Sequence, residues 1–125
     1  MTDLNSTLNA TIDTYLTAWT EKDESRRTQL ISQLWSEDGR LIDPPATGEG
    51  HAGINGMFVG MQAQFPGHTF RRASAVDSHH EHFRFAWELL SPEGAVVLPG
   101  TDVGELAADG RFQRITGFFG PLAAA

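Results

Sequence analysis

His82-Phe83-Arg84-Phe85-Ala86-Trp87-Glu88-Leu89 decides the fold. Large apolar residues hold every second position, with polar or small residues between them, the period of a strand with one buried face. Ser91-Pro92-Glu93-Gly94 follows as a hairpin turn and leads into a strand from Ala95 to Leu106. Asp109-Gly110 turns the chain again before a last strand from Arg111 to Phe119. Inside the middle strand, Pro99-Gly100 is poor material for a central ladder and predicts a bulge or an edge. Upstream, Thr69 to Val76 alternates weakly and supplies one more strand. Successive hairpins imply an antiparallel sheet.

The first half of the chain has the other period. Leu4, Leu8, Ile12, Tyr15, Leu16 and Trp19 form one apolar stripe on a helix from about Asp3 to Thr20. A second helix begins with Ser25 as N-cap, buries Leu30, Ile31, Leu34 and Trp35, and stops at Gly39 in a left-handed cap. A short strand from Arg40 closes at Asp43, which Pro44 biases to an extended backbone. Pro44 to Gly50 reads as loop. Ile54, Met57, Phe58, Met61 and Phe65 mark a third helix, stopped by Pro66-Gly67. The order ααβαββββ describes an α+β domain, a curved sheet wrapped around three helices. Residues 1–120 form the single domain and 121–125 a loose C-terminal tail.

Composition narrows the function. The 125 residues carry 9 cations against 16 anions, a net charge of −7, and Lys22 is the only lysine. Nucleic-acid binding needs a clustered positive surface, which this sequence lacks. Without cysteine there is no disulfide, thiolate nucleophile or cysteine metal site. The polar start, Thr2-Asp3, and the absence of a long apolar run imply a cytoplasmic protein with no membrane partner.

Three ionisable groups stand where apolar residues are expected. Tyr15 lies on the buried stripe of the first helix, Asp43 ends an apolar strand, and Asp102 follows Val96-Val97-Leu98-Pro99-Gly100-Thr101. Each has an ordinary structural reading: a core phenol bonded to a backbone carbonyl, a cap on the Pro44-Pro45 turn, a carboxylate pairing with irregular backbone. Together they describe a polar patch in an apolar pocket. Other motifs carry less. Gly48-Glu49-Gly50-His51-Ala52-Gly53 fits a dinucleotide fingerprint, but a four-residue insertion separates it from the strand, and Glu49 would repel a pyrophosphate. His79, His80 and His82 fall on a turn between strands, with His79 and His80 pointing to opposite sides, so no metal site is assigned. No serine has a nucleophile-elbow setting.

Tyr15-Leu16-Thr17-Ala18-Trp19, Leu34-Trp35-Ser36-Glu37-Asp38-Gly39 with Ile42-Asp43-Pro44, Gly50-His51-Ala52-Gly53-Ile54 and Gly117-Phe118-Phe119-Gly120 carry a family resemblance. Over nearly its whole length the chain resembles the nuclear transport factor 2-like superfamily, in its ketosteroid-isomerase and SnoaL-like branch. The resemblance implies a cone-shaped, cystatin-like α+β barrel. It also places Asp43 where that family keeps its general base, and Tyr15 and Asp102 where it keeps two oxyanion-hole donors. Phe58 stands near a position that some of these isomerases give to a supporting tyrosine. Gly100 stands where the epoxide-hydrolase branch would have an arginine, which argues against that chemistry.

These readings lead to a cofactor-free acid–base enzyme acting on a small, mostly apolar carbonyl compound, with Asp43 moving the proton and Tyr15 and Asp102 stabilising the enolate. The alternatives are a protein that only binds a small hydrophobic molecule in the same pocket, and a dimeric interaction domain. The expected pocket walls are Trp19, Phe58, Phe83, Phe85, Trp87, Ile115 and Phe119. Asp102 is expected to titrate high and Asp43 closer to its ordinary value. The family pairs such sheets through their outer faces, so a homodimer is expected, with Ala73, Ala75, Arg84 and Ala86 at the contact.

Overall fold

The structure, a computed structural model, describes residues 4–125. Helices α1 (Leu4–Trp19) and α2 (Glu24–Leu34) come first, then strands β1 (Trp35–Asp43) and β2 (Ala46–Glu49), and helix α3 (Gly50–Gln64). Strands β3 (Thr69–Arg72), β4 (Asp77–His79), β5 (His82–Leu90), β6 (Val96–Leu106) and β7 (Phe112–Phe119) complete the chain. One curved sheet runs in the order β2-β1-β7-β6-β5-β3, with β4 also paired to β5. Every pairing is antiparallel except β1 with β7, which makes the sheet mixed where an antiparallel one was expected.

On α1 the stripe Leu8, Ile12, Tyr15, Leu16 and Trp19 is buried as its spacing requires. Asp3, where the reading starts this helix, lies outside the described residues, as does the Leu4 side chain. Carbonyls at the end of α1 have no helical partner and are taken up by side chains. Gln62 Nε2 donates to Trp19 O and Glu21 O, both at 3.0 Å. The buried Arg27 donates to Glu21 O at 2.9 Å and to Asn55 Oδ1 at 2.6 Å. These bonds tie α1 to α2 and α3 and fix the turn of helix that carries Trp19.

Four boundaries differ from the sequence reading. Asp23, not Ser25, caps α2, accepting from Arg26 N at 2.9 Å. The helix ends at Leu34, and Trp35 is already extended, with φ −115° and ψ 141°. Gly39 therefore caps nothing; it lies in β1, where a Cβ would come within 2.7 Å of Trp35 Cε3. The supposed loop holds β2, which pairs with β1 across Pro44-Pro45 so that Asp43 faces Ala46. Thr69 to Val76 is strand only to Arg72, and Asp77 opens a separate strand. Pro99 stands in register opposite Glu88, and the irregularity comes one pair earlier, at Leu89/Leu90. On its other side β7 has already ended, and Pro99 O accepts from Gly120 N at 2.9 Å.

The concave face of the sheet depends on two glycines. Phe83 pairs with Gly104 and Trp87 with Gly100. A Cβ at either glycine would collide with the ring opposite. The rings of β5 thus lie flat across the backbone of β6, which gives the sheet an aromatic floor. On the outer face, Arg40 pairs with Glu49 at 3.3 Å, Arg114 with Glu105 at 2.8 Å and Arg71 with Glu88 at 2.7 Å.

Ala is a better strand residue than Gly, so Gly104→Ala would stabilise an open strand. Here the added methyl must displace the Phe83 ring, and the variant should lose about 1–3 kcal/mol in urea unfolding, the usual cost of overpacking. Unchanged or improved stability would show that the floor is not tight at this point.

Candidate functional site

Asp43 is the last residue of β1, held extended ahead of the Pro44-Pro45 turn. The pairing of Ile42 with Thr116 brings it beside Gly117 of β7, and Gly117 pairs on its other side with Asp102 of β6. A Cβ on Gly117 would strike Asp43 Oδ1 and lie 3.0 Å from Asp102 Oδ1. The two carboxyl groups therefore share the space that a side chain at 117 would fill. Two long-range pairings of the sheet make this meeting, between residues 59 positions apart in the chain.

Tyr15 closes the space from α1. Its ring is wedged edge-on among Trp19, Trp35, Phe58 and Phe112, with centroids 5.5–6.4 Å away. Tyr15, Asp43 and Asp102 line one inner cavity of about 30 Å³, with Trp19, Phe70, Trp87 and Phe119 among its walls. A buried water needs roughly 10–15 Å³ by this measure, so the space takes one or two small groups. Trp19, Asp43 and Phe119 also line an outer chamber of about 700 Å³, bounded by Met57, Met61 and Phe65 and by the turn Pro45-Ala46-Thr47. Asp43 stands at the neck between a small polar recess and a large apolar room.

The environments of the two carboxyls separate their titrations. Asp102 is pushed up to about 8, chiefly by burial and secondly by the nearby Asp43, with the hydrogen bond from Trp87 acting against both. Trp87 Nε1 donates to Asp102 Oδ1 at 2.8 Å, which leaves the acid proton to the other oxygen. Burial alone raises Asp43 to about 6. Asp43 thus stays closer to its ordinary value than Asp102, as expected, although the β2 hairpin and the chamber walls still remove more water than a free strand end would lose. The Tyr15 hydroxyl is pushed well above its usual range by burial and then by Asp102 and Asp43, with a Trp19 hydrogen bond opposing. Near neutral pH the recess holds a carboxylate at Asp43, a carboxylic acid at Asp102 and a phenol at Tyr15.

Of the expected walls, Trp19, Trp87 and Phe119 line these cavities. Phe58, Phe83, Phe85 and Ile115 do not; they are 0–2% exposed and fill the closed end of the cone. Their facing was right, but α1 packs down on that end of the sheet and leaves open only the end near Trp87 and Leu89. The reading missed Leu16, Phe70, Leu89 and Leu98, together with Gly56 and Gly60 of α3. A Cβ at Gly56 or Gly60 would meet nothing within 4 Å, so these glycines widen the outer chamber. Their spacing with Met57 and Met61 along one helix was the available signal.

The remaining motifs lie elsewhere. Gly48 and Gly53 pack β2 backbone to backbone against α3, a Cβ on Gly48 lying 2.7 Å from Gly53 O. His51 Nε2 bonds to Trp35 O at 2.9 Å. His79 and His80 do not diverge: His80 has φ 52°, and the left-handed turn brings the two Nδ1 atoms to 3.1 Å.

A family model described as a SnoaL-like domain matches residues 12–115. A candidate isomerase of the SnoaL-like family from Agrobacterium tumefaciens str. C58 is 41% identical over 90% of this chain and 96% of its own, with a TM-score of 0.85. A candidate SnoaL-like polyketide cyclase from Jannaschia sp. CCS1 is 16% identical over 90% of its own chain and 95% of this one, with a TM-score of 0.72. A cystatin-like protein of unknown function from Methylobium petroleophilum PM1 is 18% identical over 99% of this chain and 82% of its own, TM-score 0.74. No curated protein matches the chain. Among the described residues no helix is long and apolar enough to cross a membrane.

The raised carboxyls have a thermodynamic signature. A folded pKa above the unfolded one means that the native state binds more protons, so stability is highest in acid and falls as pH rises. For Asp102 the loss accumulates from about pH 4 to about 8. Asp102→Asn keeps an acceptor for Trp87 and removes the titration. Urea unfolding should therefore find the variant more stable than wild type above pH 8, with the gap closing towards pH 4. A constant difference across that range would mean that Asp102 ionises normally.

Proposed function

The chain belongs to the SnoaL-like family, and we propose that within it this protein is a cofactor-free acid–base enzyme that enolises a small, mostly apolar carbonyl compound. One observation carries the reading: two carboxyl groups share one recess, and the deeper burial of Asp102 raises its pKa above that of Asp43. That pairing matches what proton transfer beside a carbonyl requires. Asp43 removes the proton from the carbon next to the carbonyl, and the C–H electron pair moves into a C–C double bond while the carbonyl oxygen gains charge. Tyr15 and Asp102 donate hydrogen bonds to that oxygen. Protonated Asp43 then returns the proton, to the same carbon or to a conjugated one, and the site regains its starting state.

The sizes of the two spaces support this assignment. The inner recess accepts one or two small groups, such as a carbonyl, while the ligand body lies in the outer chamber. The neck then puts Asp43 beside the carbon adjacent to the carbonyl. The 41%-identical relative carries an isomerase description, which agrees with proton transfer as the reaction class. The same reading includes a homodimer formed through the outer sheet face, where Val103 and Phe118 are 43% and 57% exposed beside Ala86 and Arg84.

Asp43→Asn preserves shape and removes the base, so turnover of a cyclic enone or ketone substrate should fall by orders of magnitude while binding persists. Tyr15→Phe removes one donor and should cost about a hundredfold in kcat. The wild-type kcat/KM should rise through about pH 6 and fall through about pH 8, as Asp43 loses its proton and then Asp102 does. Equal turnover by wild type and Asp43→Asn would leave binding as the function of the pocket. Gly60→Leu improves helix propensity but fills the chamber. It should raise KM for a two-ring ketone more than for a one-ring ketone, and a uniform effect would remove the outer chamber from substrate recognition.

A further inference from the structure

The charge pattern around the recess is one-sided. Neither cavity has a lysine, arginine or histidine among its lining residues, although Asp43 and Asp102 both reach the inner one. Among the described residues neither aspartate belongs to an ion pair. The arginines are engaged elsewhere: Arg26, Arg40, Arg71, Arg72, Arg84, Arg111 and Arg114 each pair with an acidic side chain outside the site. Arg27 is held by neutral oxygens of Glu21, Lys22 and Asn55. A carboxylate kept from water without a cation is costly, and a ligand cation would relieve that cost.

The walls add a second, independent preference. Trp19, Phe70, Trp87 and Phe119 follow one another around the inner cavity with centroid separations of 5.6, 5.6 and 5.8 Å. The Phe70–Trp87 and Trp87–Phe119 planes meet at 84° and 89°, like adjoining walls of a box. Rings within about 6 Å of a cation attract it through their negative faces, most strongly where water is excluded. We propose that the inner cavity receives the head of an alkylammonium cation, the apolar body of the same ligand lying in the outer chamber. At about 30 Å³ the recess takes a CH₂–NH₃⁺ group and excludes a quaternary head. The ammonium donates to the Asp43 carboxylate and to Asp102, with aromatic rings around its carbon end. The cation competes with a carbonyl ligand for the recess, but its recognition does not depend on enolisation.

Calorimetric titration with benzylammonium, benzyl alcohol and benzoate tests this, because the three differ in charge and little in size. Near neutral pH benzylammonium should bind at least about tenfold more tightly than benzyl alcohol, with benzoate weakest. In Asp43→Asn the preference should collapse towards unity, with an unchanged circular dichroism spectrum and an undiminished urea midpoint showing that the variant is folded. The preference should also fade below about pH 6, as Asp43 takes up its proton. Asp102 and Tyr15 are the other titratable groups facing the cavity, and both are neutral throughout that range. Parity between amine and alcohol, survival of the preference in Asp43→Asn, or no binding of benzylammonium by the folded protein would each overturn the proposal. None of these outcomes touches ketone turnover, so the two readings fail separately.

Discussion

Two carboxyl groups crowd into the volume vacated by one missing side chain, at Gly117, and the rest of the site is arranged around that contact. Bringing Asp43 to this point needs the parallel pairing of β1 with β7, and bringing Asp102 there needs the antiparallel pairing of β6 with β7. Because both groups are shielded from water, they cannot comfortably ionise together, and their protonation states divide. The same crowding makes the site unfavourable for folding in its fully charged form. Ionisable groups crowded together out of water lower stability whatever purpose they serve.

Glycine serves the opposite surfaces of the pocket in different ways. On the sheet, Gly100 and Gly104 let aromatic rings press against the backbone, and Gly100 in particular lets Trp87 reach Asp102. On α3, Gly56 and Gly60 keep the chamber empty. The first pair creates contact and the second creates room. A helix with few buried residues, Ile54 and Phe58, can tolerate this because β1 and β2 support it from below and Gln62 anchors it to the end of α1.

Much of this was legible from residue pattern. Tyr15, Asp43 and Asp102 stood out because each interrupts an apolar rhythm, and a polar group in such a place has to meet something. The strands of the second half were legible because their turns carry Gly, Pro and Asp in recognisable positions. The passage from Leu34 to Gly39 was misread because Leu30, Ile31, Leu34 and Trp35 satisfy a helical period, which a short buried run cannot distinguish from a strand start. Depth was the other missing quantity. Alternation tells which face Phe83, Phe85 and Trp87 share, but only the curvature of the sheet and the placement of α1 decide that two are sealed in and the third borders the recess.

The parallel pairing of β1 with β7 has a consequence for synthesis. Residues 35–43 leave the ribosome long before residues 112–119, so early in translation Asp43 has no neighbour at Gly117 and Trp35 has no Phe112 against it. A nascent chain can form α1, α2 and the β1–β2 hairpin with their local contacts, but β1 has an open edge until β7 arrives. The meeting of Asp43 and Asp102 at Gly117 is therefore among the last parts of the molecule to come into being, and a chain shortened before Phe112 would lose the middle of its sheet rather than a trailing end.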